Sequence, residues 1–143
     1  MAWTRLTEAQ EGLWYSQALD PANPIFNTGQ YIELSGLLDL DAFCAAVNQA
    51  SEEAQALSLR FDTTADGPEQ AFDPANAPRL EVVDLSGSDE PEAEAKAPIT
   101  KRMRTPVDLR NGPIAFQHLY RIGNGKHIWA LQVHHLANDG FGI

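Results

Sequence analysis

A chain of 143 residues with 43% hydrophobic and 21% charged side chains is sized and composed for one folded unit, spanning 1–143, and is unlike a disordered chain. Ten basic against twenty acidic residues give a net charge of -10, which argues against nucleic acid and membrane surfaces as partners, because both are themselves anionic. Cys44 stands alone, so no internal disulfide or Cys-x-x-Cys zinc pair can form; with no leader-like start and no membrane-length apolar run, a reducing, cytoplasmic setting is expected.

Thr7 with Gln10 forms a capping box, and Leu13, Trp14 and Ala18 follow at helical spacing until Asp20-Pro21, which predicts a helix from Thr7 to Ala18. Between Thr28 and Ser35, Gln30, Ile32 and Leu34 alternate with Tyr31 and Glu33, the pattern of a half-buried strand. Asp39 or Asp41 can cap a second helix, whose Leu40, Phe43, Cys44, Val47 and Ala50 recur every three or four residues and which runs out near Glu52-Glu53.

Leu57, Leu59 and Phe61 alternate with Ser58, Arg60 and Asp62, and the turn Ala65-Asp66-Gly67-Pro68 leads into Gln70-Ala71-Phe72, which reads as a hairpin. Leu80 to Leu85 is a short apolar strand; the acidic, Ser- and Gly-containing stretch after it gives way to a helix from Glu92 to Met103 that must accommodate Pro98. Ile114–Ile122 and Lys126–His134 are β-rich and flank Gly123-Asn124-Gly125, a hairpin signal. His134 and His135 therefore fall where a strand runs out into a loop.

Imidazole titrates near neutrality, and a strand end can present it to a cleft, so His135 is the candidate general base; Asp139 would shape the loop, and Gly140 would permit a tight turn. The competing reading is that adjacent histidines at a strand end are packing residues. A metal site is weakly supported, since neighbouring strand residues face opposite ways and the further ligand candidates are Asp139, His118 and His127.

The segment His134-His135-Leu136-Ala137-Asn138-Asp139-Gly140 matches His-His-x-x-x-Asp-Gly and resembles the signature of the condensation domains of non-ribosomal peptide synthetases. Leu6-Thr7-Glu8-Ala9-Gln10-Glu11-Gly12-Leu13-Trp14 resembles the opening motif of that family, and Pro106-Val107-Asp108-Leu109 with Gly112-Pro113 resembles the stretch before its paired strands. The likeness spans the chain and is nearest to the siderophore, enterobactin-synthetase type.

That resemblance implies an α/β two-layer sandwich of the chloramphenicol-acetyltransferase kind, here the amino-terminal lobe of a two-lobe domain, cut after the motif and silent on its own. It implies amide formation between thioesters on donor and acceptor carrier proteins, with phosphopantetheine arms as substrates and no directly bound cofactor. His135, with His134, Asp139 and Gly140, would form the catalytic motif. A carboxyl-terminal lobe and an adenylation domain would be neighbours, and a start at Met1 would have the donor arrive on a separate protein. An epimerisation domain, or an inactive carrier-binding lobe, are the alternatives.

One departure stands out. Where the family reads Leu-Arg-Thr-x-Phe this chain reads Leu57-Ser58-Leu59-Arg60-Phe61, so the arginine expected to support the motif aspartate is Ser58. Residues two apart on a strand share a face, so Arg60 is a candidate to supply the missing cation to Asp139, with a solvated Arg60 as the alternative.

Overall fold

A computed structural model of the chain describes residues 1–139; Gly140, part of the motif above, lies outside the described residues. Strand β1 (Trp3–Arg5) precedes helix α1 (Glu8–Leu19). The capping box of α1 forms as the sequence requires: Thr7 Oγ1 accepts from the Gln10 N–H, and Gln10 Oε1 accepts from the Thr7 N–H at 2.9 Å. Strand β2 (Asn27–Ser35) and helix α2 (Leu40–Glu53) follow, with Asp39 as the cap that closes on the Ala42 N–H. Next come β3 (Leu59–Thr64), β4 (Gly67–Phe72), β5 (Leu80–Asp84), helix α3 (Pro91–Met103), β6 (Ala115–Gly123) and β7 (Lys126–His134).

Two sheets form. One is three-stranded in the order β1-β4-β3, the other four-stranded in the order β2-β7-β6-β5, antiparallel except for the parallel β5–β6 pair. The β6–β7 hairpin turns through Asn124-Gly125, both at positive φ (52° and 68°), the backbone that an Asn-Gly pair adopts at small cost. Residue alternation gives the larger sheet two faces. Tyr120, Ile128 and Ala130 bury against Ala95 and Ile99 of α3, while Trp129 meets Phe43 of α2 edge-on and Gln117 bonds Ser51 of α2. A second cluster, Leu6, Phe61, Ile114 and Leu136 with Leu13 and Trp14 packed on it, joins α1 and the smaller sheet to the loop after β7.

Several expectations shift. Strand β1 has no signal in a three-residue span; it exists because β4 offers it an edge to pair with. Gly67 and Pro68 belong to β4, leaving Ala65-Asp66 as the turn, because Pro68 sits opposite Thr63 in a strand position that asks no N–H of it. Strand β2 is exposed along Gln30–Glu33 instead of half-buried, as its place at the sheet edge dictates. Trp3, the first residue of β1, is 36% exposed. Ser58 lies in a 3-10 turn, Gln55–Ser58, ahead of β3, so strand alternation does not relate it to Arg60.

Candidate active site

Strand β7 carries His134 as its last residue, and the chain then turns through His135, Leu136 and Ala137. Three backbone bonds fix that turn: the His134 N–H donates to the Ile114 carbonyl at 3.0 Å, the His135 N–H to Phe26 at 2.8 Å, and the Ala137 N–H to His134 at 2.9 Å. The Leu136 side chain, 2% exposed, anchors the turn in the core cluster beside Phe61 and Ile114.

His134 is enclosed, at 1% exposure. Its Nδ1 accepts the Leu136 N–H at 3.2 Å, so that nitrogen carries no proton. Its Nε2 lies 3.1 Å from Gln17 Oε1 and is the donor there. Gln17 is oriented by its own amide nitrogen, which donates to the carbonyls of Asp20 at 2.9 Å and Asn23 at 3.0 Å and so leaves only the oxygen for His134. Burial, with a smaller contribution from the neighbouring His135, pushes the His134 pKa down to about 4. His134 is therefore a neutral imidazole with both ring nitrogens engaged inside the fold.

His135 differs. It is half-buried, and its Nδ1 lies 2.8 Å from the carbonyl oxygen of Asn138, which can only accept. The proton therefore sits on Nδ1, and the lone pair of neutral His135 is on Nε2, the arrangement a general base needs. The two histidines thus hold opposite tautomers. Asp139 is exposed at the end of this loop.

Arg60 is paired with Asp73. Its Nε lies 2.9 Å from Asp73 Oδ2, and its Nη2 donates to the Asn111 carbonyl at 3.1 Å. With the Phe61 N–H bonded to the Leu109 carbonyl, these contacts tie β3 to the loop before β6. Ser58, standing in the position of the family arginine, is fully buried, and its hydroxyl has no hydrogen-bond partner among the described residues. Within that loop Gly112 adopts φ +64°, and a Cβ there would collide with the Asn76 amide.

The residues that sequence reasoning did not connect to the motif turn are on α1. Gln10 Nε2 donates to the Leu136 carbonyl at 2.9 Å and to Gln70 Oε1 on β4 at 2.8 Å, so one side chain caps a helix, bridges to the smaller sheet and holds the motif loop. Gln10 and Gln17 are seven residues apart, two helical turns, and that spacing was the available signal that both face the same neighbour.

Among the described residues no group of three or more His, Cys, Asp and Glu could hold a metal ion. His118 is committed to Glu81 at 3.2 Å, and His127 sits opposite Leu34 at the far end of β7 from the motif. A cavity of about 610 Å³ lies between α3 and the sheet against Gly29, Met103, Phe116 and Leu131, with neither His134 nor His135 in its wall. A cleft of about 490 Å³ between α1 and the 107–110 turn has Trp14 and Gln17, the latter the partner of His134, in its wall. No helix among the described residues is long and apolar enough to cross a membrane.

Known proteins were compared with this chain. A family model described as Condensation domain matches residues 3–143. The dimodular nonribosomal peptide synthase of Bacillus subtilis (strain 168) is 39% identical over 138 residues, which is 96% of this chain and 6% of that protein. Enterobactin synthase component F of Escherichia coli (strain K12), the type anticipated above, is 29% identical over 140 residues, 95% of this chain and 11% of its own length. The starter condensation domain of rhizomide synthetase superposes with a TM-score of 0.88 at 30% identity, covering 99% of this chain and 34% of that one. The chain thus spans about a third of a solved condensation structure, with the opening motif on α1 and the His-His turn brought into direct contact. It belongs to the condensation-domain family of nonribosomal peptide synthetases.

Proposed function

We propose that this chain is the amino-terminal lobe of a condensation domain in which His135 serves amide-bond formation. The amine of an acceptor aminoacyl group, held on the phosphopantetheine arm of one carrier protein, attacks the thioester carbonyl of a donor acyl group held on another. The new C–N bond forms as the C–S bond breaks; the amine proton passes to Nε2 of His135, and the donor thiolate leaves and is reprotonated. A second lobe would close the site, an adenylation domain would load the acceptor, and the assembly would work in the cytoplasm.

The observation that carries this reading is the tautomer of His135: the Asn138 carbonyl holds the proton on Nδ1 and leaves Nε2 as acceptor. Asp139 and Gly140 are proposed to shape the loop that presents it. In the full-length synthetase with loaded carriers, His135→Ala is expected to lower single-turnover amide formation by at least ~10²-fold, the scale of losing a general acid or base. Unchanged product formation by the variant would refute the assignment. Exchange of the α-proton of an aminoacyl thioester without amide product would support an epimerase in its place.

A further inference from the structure

Residue Leu136, immediately after the proposed base, has its peptide groups held from both sides by side chains. Its N–H is taken by Nδ1 of His134 at 3.2 Å and its carbonyl by Nε2 of Gln10 at 2.9 Å. Neither holder is free to turn. His134 is fixed by Gln17, whose amide nitrogen is spent on Asp20 and Asn23; Gln10 is fixed by the Thr7 N–H, which takes its oxygen, and by Gln70. The turn that carries His135 is therefore clamped by a single helix face through two glutamines two turns apart.

We propose that Gln17 and Gln10 are positioning residues for His135, Gln17 by locking His134 as its Nε2–H tautomer so that Nδ1 receives Leu136, and Gln10 by fixing the Leu136 carbonyl. The proposal rests on the role of His135 given above. Its physical content is geometric. If Nδ1 of His134 carried the proton, that N–H would face the Leu136 N–H, two donors in a buried space; the turn would have to move, and His135 with it. A general base works only within hydrogen-bond reach of the proton it takes, so a displacement of the turn reaches the rate without touching any substrate contact.

Two substitutions separate this from general stabilisation. Gln17→Met keeps the length of the side chain and removes the acceptor for His134. Gln10→Glu keeps the oxygen that caps Thr7 while replacing the donor to Leu136 with an acceptor. In the full-length synthetase with loaded carriers, each is expected to lower the single-turnover rate by at least about tenfold, with the acceptor KM unchanged within about twofold. In protein labelled with ¹⁵N-histidine, Gln17→Met is also expected to move the His134 signals away from a pure Nε2–H tautomer, while Gln10→Glu leaves that tautomer in place. Rates within about twofold of the parent, or a rate loss mirrored by an equal rise in KM, would overturn the proposal. So would a His134 that stays wholly Nε2–H in Gln17→Met. Should His135→Ala itself leave the rate intact, the base assignment falls, and the tautomer spectra still decide the Gln17 lock.

Discussion

Acidification should loosen the motif turn through His134, and the size of the effect follows from its surroundings. A histidine whose folded-state pKa is held at about 4, against 6.5 when solvated, favours the neutral form on folding. Its contribution is fully present above about pH 6.5, declines as the pH falls and is gone below about 4. The difference amounts to about 3 kcal/mol at ~1.4 kcal/mol per pKa unit. The loss has a structural site, because a second proton on His134 must enter at Nδ1, where the Leu136 N–H already points. Urea unfolding at half-unit steps between pH 7 and 4, on the parent and on His134→Asn, would measure it. The stability difference between the two is expected to shrink by about 3 kcal/mol across that range. Two parallel curves would show that His134 does not titrate in this window and would refute the reasoning.

The Arg60–Asp73 ion pair is partly buried and ties β3 to the segment after β4, so Arg60→Ala and Asp73→Ala should be non-additive by roughly 0.5–3 kcal/mol in a double-mutant cycle; strict additivity would remove the pair from the account. Ser58→Ala deletes a buried hydroxyl with no partner among the described residues and should leave stability unchanged or raise it by up to about 1 kcal/mol, whereas a clear loss in urea melts would mean that the hydroxyl is satisfied. Phe61→Ala, at a fully buried position of the cluster that seats the motif turn, should cost about 3–5 kcal/mol and lower the thermal midpoint; a shift within error would place Phe61 outside the core.

Much of this protein was legible as sequence because its signals are local. A capping box, an Asn-Gly pair and 3.6-residue or two-residue periodicity depend on neighbours within a few positions, and α1, α2, the β6–β7 hairpin and the placing of His134 at a strand end all follow from them. The His-His-x-x-x-Asp-Gly match pointed to the family that the comparisons then showed. Local patterns do not set which strands adjoin. The parallel β5–β6 pair and the rescue of β1 by β4 are decided by contacts far apart in the chain.

The same limit governed the site. Alternation around Ser58 related it to Arg60 on one face, but a 3-10 turn interrupts that register, and Asp73, brought near by the β3–β4 hairpin, pairs with the guanidinium. Identical imidazoles at 134 and 135 are indistinguishable as letters. Only the tertiary structure assigns their protons, because a tautomer is set by the partner each ring nitrogen meets: Gln17, 117 residues before His134 in the chain, for one, and the Asn138 carbonyl three residues on for the other.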